Sequence, residues 1–182
     1  MHLDDAAALI APVIAAPGGA WADLGAGSGT FTRALLHLLG PAGRVVAVDR
    51  DASALASLRR LAHDDARLLV AEGDFTQPLD FQRLGVVHLD GALLANALHF
   101  VPAERQARVL AEVSRQLAPA GRIAVVEYAG RRPSRWVPAP VSFERFAQLA
   151  RDAGLGPALR VGTRDSAFGG EMYAAYAAID RR

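Results

Sequence analysis

The 182-residue chain contains no cysteine and no lysine, although it carries twenty basic side chains, all of them arginine. The lack of cysteine excludes disulfides, thiolate nucleophiles and thiolate metal ligands. The lack of lysine excludes Schiff-base chemistry and the phosphate-binding lysine of a P-loop. We interpret the arginine preference, together with the abundant alanine, as a coding bias. A cysteine-free chain suits a reducing compartment, and we expect a cytoplasmic protein.

The sequence also lacks a strong net charge and a long apolar run. The formal net charge is +1, so no overall field attracts nucleic acid or an anionic membrane. No apolar run reaches transmembrane length, and the first residues, MHLDD, are acidic where a signal peptide is basic. We therefore expect no membrane and no nucleic-acid partner. Hydrophobic residues make up 52% of the chain, which is typical of a globular protein.

Segments typical of strands and of helices alternate along the chain. Short apolar runs rich in β-branched residues indicate strands buried on both faces, at 21–24, 44–48, 67–71, 91–95 and 122–128. Helical spacing and breakers predict helices at 4–16, 30–39, 51–63, 102–117 and 142–153. Asp4 or Asp5, Asp51 and Ser142 are the expected N-caps. Two late strands, 157–164 and 171–179, have only a short link between them, so we expect them to pair antiparallel.

This alternation predicts an α/β protein with a Rossmann-like, doubly wound parallel sheet covered by helices on both faces. We expect a single domain over residues 1–182. Its parts are an N-terminal helix at 1–17, a ligand-binding core at 18–128, and a loop, helix and antiparallel strand pair at 129–182. Ligands of such sheets bind at the carboxyl ends of the strands. The loop after the first strand occupies that position.

This loop, ADLGAGSGT at 22–30, has glycine at every second position from Gly25 to Gly29. Such dense glycine lets a ligand approach the backbone closely, and the free N–H groups of the following helix favour an anionic group. A dinucleotide fingerprint requires G-x-G-x-x-G, but the sixth position here is Thr30. A P-loop requires Gly-Lys-Ser/Thr, which is absent. The pattern that remains is G-x-G-x-G after an aspartate.

The loop resembles the first motif of the class I S-adenosylmethionine-dependent methyltransferases. Four further matches at predicted strand ends extend the resemblance over nearly the whole chain: Asp49, EGDF at 72–75, DGALLANALH at 90–99 and LAPAGR at 117–122. In the last of these, Ala120 stands where the family's L-x-P-G-G turn has its first glycine. The resemblance implies a seven-stranded sheet of order 3-2-1-4-5-7-6 with the last strand antiparallel.

The resemblance also implies S-adenosyl-L-methionine as the cofactor, S-adenosyl-L-homocysteine as the product, and no metal. The implied cofactor-binding residues are Asp23, Gly25, Ala26, Gly27, Ser28, Gly29, Asp49, Arg50, Asp74, Phe75 and Asn96. Asp49 would accept hydrogen bonds from both ribose hydroxyls. Asp74 would accept one from the exocyclic amine of adenine, and Phe75 would offer a backbone N–H and an apolar edge.

Three of these residues have a second interpretation. Asp23 either orients the cofactor's ammonium group, directly or through water, or only caps the N–H groups of the loop. Arg50 either lies along the adenine or is a solvated surface arginine. Asn96 either offers its carbonyl oxygen to the cofactor amine or is a turn residue at the end of a strand.

For the methyl acceptor, the resemblance points to the region after the fourth and fifth strands. His99 is the candidate catalytic base, the alternative being a polar residue at a helix start. Glu127 or Tyr128 is expected to reach the pocket. Arg131, Arg132 and Arg135 with Trp136 would bind an acidic or aromatic acceptor, unless they belong to a solvated loop.

The expected function is methyl transfer to oxygen or nitrogen of a small organic acceptor by direct in-line attack. Positioning alone can supply roughly 7–11 kcal/mol to such a reaction. Residues 96–99, NALH, lack the Asn-Pro-Pro-aromatic signature of enzymes that methylate base or glutamine amines. The pocket would be covered by the N-terminal helix and the loop at 129–141, or by a homodimer partner. The alternatives are a cofactor-binding protein without turnover and a nicotinamide-dependent oxidoreductase, against which Thr30 argues.

Overall fold

Residues 1–166 and 169–180 are described by a computed structural model of the chain. Within them seven strands form one sheet: β1 Gly19–Leu24, β2 Gly43–Asp49, β3 Leu68–Glu72, β4 Leu89–Ala95, β5 Leu117–Ala129, β6 Leu159–Asp165 and β7 Glu171–Ala178. The described α-helices are α1 Leu3–Ile10, α2 Thr30–Leu39, α3 Ala52–Asp64, α4 Gln106–Ser114 and α5 Phe143–Asp152. Among these residues no helix is long and apolar enough to cross a bilayer.

The strand order is β3-β2-β1-β4-β5-β7-β6, as the resemblance implied. Strands β1 to β5 run parallel, and β7 is antiparallel to both of its neighbours. The chain leaves β1 toward β2 on one side and later returns to β4 on the other. The carboxyl ends of β1 and β4 therefore flank the switch point at which ligands of such sheets bind.

Apolar side chains cover both faces of the sheet. Leu35 of α2 belongs to the cluster on one face, and Leu110 of α4 and Phe146 of α5 belong to the cluster on the other. Between them the side chains of Val45 and Val46 are fully buried. Burial on both faces explains why the central strands read as continuous apolar runs rather than as alternating patterns.

A close contact between β1 and β4 fixes their spacing in the amino-terminal half of both strands. Gly91 is paired with Trp21 in the parallel register. A Cβ atom on Gly91 would lie 2.5 Å from the Trp21 ring. Glycine at this position therefore makes room for the indole, which is itself 3% exposed.

Two of the expected helix caps are confirmed. Asp51 Oδ1 accepts hydrogen bonds from the Ser53 and Ala54 N–H groups at the start of α3. Ser142 Oγ accepts one from the Arg145 N–H at the start of α5. Each cap satisfies N–H groups that have no partner inside the helix.

The first helix and the fourth helix differ from the prediction. The cap position of α1 is His2, whose side chain makes no capping hydrogen bond. Asp4 and Asp5 therefore lie in the first turn, where a carboxylate interacts favourably with the helix dipole. The α-helix ends at Ile10 because Pro12 lacks the N–H that would continue it. Helix α4 is shorter than predicted, since residues 103–105 form a 3₁₀ turn and Leu117 already belongs to β5.

Candidate active site

A cavity of about 860 Å³ lies at the carboxyl ends of the parallel strands. This volume is within the range of small-molecule and cofactor sites. Most of the predicted cofactor residues line it: Gly25, Ala26, Gly27, Ser28, Asp49, Arg50, Asp74, Phe75 and Asn96. Asp23, Gly29 and His99 do not. The topology therefore brings together residues that the sequence separates by up to 71 positions, from Gly25 to Asn96.

The glycine loop has the left-handed backbone that glycine permits. The φ angles are +77° at Gly25, +53° at Gly27 and +88° at Gly29. A Cβ on Gly25 would lie 2.9 Å from the Ala97 Cβ, so this glycine lets the loop pack against the segment after β4. A Cβ on Gly27 would meet no protein atom within 4 Å. Since Gly27 lines the cavity, its bare backbone is open to a ligand.

Asp49, at the end of β2, holds this loop in place. Its Oδ2 accepts a 2.7 Å hydrogen bond from the Gly27 N–H, and its Oδ1 accepts from the N–H groups of Arg50 and Asp51. A carboxylate has about four acceptor sites. These three bonds leave room for about one further donor, so two ribose hydroxyls could bind together only if one backbone N–H were released.

Asp23 lies beneath the loop and does not reach the cavity. It is 1% exposed, and its Oδ2 accepts a 2.6 Å hydrogen bond from the Thr32 hydroxyl in the first turn of α2. Burial raises the pKa of this carboxyl to about 7, with the Thr32 hydrogen bond acting in the opposite direction. In this structure Asp23 therefore links β1 to α2 through this hydrogen bond.

Arg50 and Asp74, both predicted to contact the adenine, pair with each other on the cavity wall. Arg50 Nη1 lies 3.1 Å from Asp74 Oδ2, and Asp74 Oδ1 accepts from the Thr76 N–H. Although partial burial acts to raise the pKa of Asp74, the hydrogen bonds from Thr76 and the Arg50 charge hold it below its usual range. Asp74 is therefore a ready acceptor for a donor in the cavity.

Asn96 contributes an acceptor whose hydrogen-bonding capacity is not used by the protein. Its side-chain oxygen Oδ1 is buried and has no hydrogen-bond partner among the described residues. Its backbone has φ +52°, a left-handed conformation that asparagine tolerates better than most residues. A buried acceptor without a partner is rare in folded proteins and costs free energy. The residue Asn96 lines the cavity, but its Oδ1 is closed off from it, so a turn of the side-chain amide would be needed to present this acceptor to a ligand donor.

His99 and Glu127 form a buried pair next to the cavity. His99 Nδ1 lies 2.7 Å from Glu127 Oε2, and the His99 N–H donates to Glu127 Oε1. Both side chains are at most 2% exposed, and burial raises the pKa of Glu127. The His99 ring contacts the rings of Phe100 and Tyr128, with centroids 4.4 and 5.9 Å apart. Phe100 and Tyr128 both line the cavity, so the His99 ring contacts two side chains of the cavity wall.

We call the lining side chains of the β4 to β7 side, together with the N-terminus, the acceptor half of the cavity. They are Met1, Phe100, Val101, Pro102, Arg105, Tyr128, Arg164, Asp165, Ser166 and Met172. The N-terminal helix was expected to help cover the pocket, but only Met1, which precedes α1, lines the cavity, and no residue of α1 does. The loop at 129–141 was expected to do the same, but it contributes no lining residue.

The four side chains of that loop expected to meet the acceptor lie elsewhere. Arg131 stacks over the Tyr128 ring, 4.6 Å from its centroid, and donates to the Gly169 carbonyl. Arg132 is exposed. Arg135 stacks on Trp136, which is 69% exposed. The arginines that do line the acceptor half are Arg105 and Arg164, which sequence reasoning missed. Neither belongs to a motif, and no local pattern indicates that they approach the same cavity.

Solved methyltransferase structures share this architecture. One is 1,6-didemethyltoxoflavin-N1-methyltransferase from Burkholderia thailandensis, with bound 1,6-didemethyltoxoflavin and S-adenosylhomocysteine; its TM-score is 0.75 at 22% identity, over 98% of this chain and 78% of that one. Another is an S-adenosylmethionine-dependent methyltransferase from Aquifex aeolicus, with a TM-score of 0.74 at 18% identity, over 97% of this chain and 90% of that one. At these identities the likeness shows the fold.

The family follows from the sequence match. A family model described as a methyltransferase domain matches residues 22–121, which is more than half of the chain. The chain belongs to this methyltransferase family, and the resemblance to class I S-adenosylmethionine-dependent methyltransferases is thereby confirmed.

The curated relatives match over a shorter segment. The ribosomal RNA small subunit methyltransferase H of Chromobacterium violaceum is 39% identical over 79 residues, which are 43% of this chain and 25% of the relative. The enzyme of the same name from Verminephrobacter eiseniae is 43% identical over 70 residues, 38% of this chain and 20% of the relative. The chain thus matches about a quarter of the length of these relatives.

Proposed function

We propose that this protein transfers a methyl group from S-adenosyl-L-methionine to oxygen or nitrogen of a small organic acceptor. The observation that carries the proposal is the cavity that begins at the glycine loop, whose wall includes the acceptor-bearing side chains of Asp49, Asp74 and Asn96. After a turn of its side-chain amide, Asn96 Oδ1, which is buried and has no hydrogen-bond partner among the described residues, would accept a hydrogen bond from an ammonium group of the ligand. The acceptor half provides an adjoining space for a second, smaller molecule.

The polar groups of the cofactor side favour this ligand over a dinucleotide. Asp49, Asp74 and Asn96 are all hydrogen-bond acceptors, and each lines the cavity. They suit a ligand that presents donors, such as ribose hydroxyls, an exocyclic amine and an ammonium group. The glycine loop also disfavours a dinucleotide, because its sixth position is Thr30 where that fingerprint has its third glycine.

When bound, the cofactor supplies a methyl carbon that its sulfonium makes electrophilic. The task of the chain is therefore to align the acceptor atom with that carbon and to exclude water. Alignment of this kind can supply roughly 7–11 kcal/mol. Phe100, Tyr128 and Met172 provide apolar walls that suit this role.

We propose His99 as the group that takes the proton from the acceptor. Glu127 accepts a hydrogen bond from the His99 main-chain N–H and pairs with Nδ1. A proton held on Nδ1 by this carboxylate leaves the Nε2 lone pair free to accept one. His99 is 2% exposed and its ring contacts those of Phe100 and Tyr128, which line the cavity, so this role requires a wall side chain to move. We expect the 56% exposed Phe100 side chain to be the one that rotates.

Ribosomal RNA is the competing acceptor, because the curated relatives are named for it. Two arms of one assay separate the possibilities: labelled methyl transfer from S-adenosylmethionine into ribosomal RNA, and into the small-molecule fraction of a cell extract. The proposal expects label in the small-molecule fraction. Transfer into RNA alone would replace the acceptor class, while cofactor binding without transfer to either would indicate a protein without turnover.

The cofactor itself is tested by ligand-induced stabilisation. A ligand that binds only the folded state raises the unfolding midpoint. We expect S-adenosylmethionine and S-adenosylhomocysteine to raise the midpoint and NAD to leave it unchanged. The opposite ranking would favour the oxidoreductase alternative.

A further inference from the structure

We infer that the acceptor is a planar, aromatic molecule with an anionic substituent, and that Arg105 recognises that substituent. This inference deepens the proposed function and rests on it. Two observations support this inference: the aromatic and apolar side chains of the cavity wall, and the ion pairs that the charged residues around the cavity make.

The walls of the acceptor half favour a flat apolar body. Phe100 and Tyr128 present aromatic rings, and Met172 adds a polarisable thioether. Aromatic faces and thioethers both make favourable contacts with aromatic rings. Tyr128 is partly exposed and Phe100 is 56% exposed, so both offer surface to an occupant.

The arginines that line the cavity differ in whether a carboxylate already neutralises them. Arg50 pairs with Asp74 at 3.1 Å. Arg164 pairs with Asp5 at 2.6 Å, and this hydrogen bond holds the pKa of Asp5 below its usual range. Asp165 also lies close enough to act on the Arg164 charge.

Arg105 is different. In residues 1–166 and 169–180 no carboxylate lies within ion-pair distance of its guanidinium, although the residue lines the cavity. It follows Phe100 by five residues in the chain, and both residues line the same cavity. A guanidinium binds carboxylate and phosphate oxygens through two parallel hydrogen bonds. An anionic substituent on a ring held by Phe100 and Tyr128 is the partner that this arrangement lacks.

The other charges in the acceptor half determine which way the anionic substituent of the acceptor points. Arg164 already has Asp5 and Asp165 for partners, so an added anion gains little there and is repelled by both carboxylates. The favourable place is the Arg105 side, on the loop after β4. We therefore expect the acceptor's anionic end to lie against Arg105 and away from β6.

The test uses pairs of ring compounds that differ only in charge. Hydroxybenzoates and aminobenzoates are compared with the corresponding benzamides, each titrated against the full chain saturated with S-adenosylhomocysteine, with binding followed by NMR. We expect at least one benzoate to bind about tenfold more tightly than its benzamide. Arg105→Gln should abolish this preference. Arg108→Gln, which removes an exposed arginine of α4 that does not line the cavity, should retain it.

The outcomes separate this inference from the proposed function. If S-adenosylhomocysteine itself fails to bind, the proposed function fails. If it binds but acids and amides bind equally, or no benzoate binds, or Arg105→Gln keeps the preference, the inference is overturned and the proposed function stands. A short single-stranded RNA that binds in an Arg105-dependent way, while the benzoates do not, would also overturn it and would assign the arginine to a phosphate.

Discussion

The Asp49 carboxylate accepts a 2.7 Å hydrogen bond from the Gly27 N–H, which joins the end of β2 to the centre of the glycine loop. The two residues are 22 positions apart in the sequence and belong to neighbouring parallel strands and their loops. One carboxylate thus shapes the loop and also faces the cavity. The loop geometry and the proposed ribose contact depend on the same side chain.

Removal of the Asp49 carboxylate should abolish cofactor binding. Asp49→Ala loses the acceptor for the Gly27 N–H and the proposed ribose acceptor together, whereas Asp49→Asn keeps one oxygen and should bind with intermediate affinity. Calorimetric titration with S-adenosylhomocysteine measures both. Asp51→Ala is the matched control: it removes the α3 cap, costs about 1 kcal/mol of stability, and should leave the affinity nearly unchanged. An unaltered affinity in Asp49→Ala would refute the assignment.

A methyl group on Gly27 should obstruct the ligand rather than the fold. Gly27→Ala places Cβ in open space on the cavity wall, with backbone strain of about 1 kcal/mol from the left-handed conformation. Gly85→Ala has the same left-handed strain and also meets no atom within 4 Å, but lies away from the cavity. We expect similar losses of stability in the two variants and weakened S-adenosylhomocysteine binding only in Gly27→Ala. Equal binding in both would contradict the open backbone as a cofactor surface.

The buried Asp23 should make stability depend on pH. Because its pKa is raised from 3.8 to about 7 in the folded state, its stabilising effect is complete below about pH 4 and is lost as the pH rises through about 7. Asp23→Asn keeps an acceptor for the Thr32 hydroxyl but cannot ionise. Its free energy of unfolding should therefore exceed that of the wild type increasingly toward alkaline pH, by up to about 4 kcal/mol.

Urea denaturation of the cofactor-free protein at pH 5, 6, 7 and 8 measures this difference. Asp64→Asn, at an exposed position of α3, serves as the control and should run parallel to the wild type. A constant difference between wild type and Asp23→Asn across the range would show that Asp23 does not titrate in it.

The Glu127 carboxylate should matter for proton transfer rather than for cofactor binding. Glu127→Gln replaces the carboxylate by an amide whose N–H groups can donate to Nδ1, which moves the histidine proton to Nε2. The base is then unable to accept, and kcat should fall by about 100-fold or more. His99→Gln should lower kcat similarly, with S-adenosylhomocysteine affinity unchanged in both. An activity close to that of the wild type in either well-folded variant would exclude His99 as the base.

The contact between Trp21 and Gly91 should be a determinant of stability alone. Gly91→Ala puts Cβ 2.5 Å from the Trp21 ring, and such overpacking costs about 1–3 kcal/mol. In the double variant with Trp21→Phe, the smaller ring should recover part of that loss. Thermal and urea unfolding measure both. If the double variant loses as much as the sum of the two single variants, the two positions do not interact as the structure indicates.

Much of the sheet was predictable because its signals are local. The run RVVAV at 44–48 lies within β2, and Asp51 caps the helix that follows it. Each of these depends on neighbours only a few positions apart. The α4 boundaries were predicted wrongly because the sequence shows helical spacing through 102–117. Pairing of Leu117 with Leu89 in the sheet instead gives that end of the segment to β5.

The acceptor half shows where sequence reasoning reaches its limit. Arg131 and Trp136 form a basic and aromatic loop, which predicted a binding role, yet the loop lines no part of the cavity. Arg105 and Arg164 carry no pattern and do line it. His99 is paired with Glu127, 28 positions away.

The sequence by itself determined the parallel sheet, the bare loop after its first strand and the acidic residues at the ends of the next strands, because periodicity and turn chemistry act over a few residues. Only the tertiary structure decided which charges are neutralised and which face the cavity. Arg50, Arg105 and Arg164 look alike in the sequence, and the distances to Asp74 and Asp5 make them different. Electrostatic interactions fall with distance in space, which the order of residues along the chain does not contain.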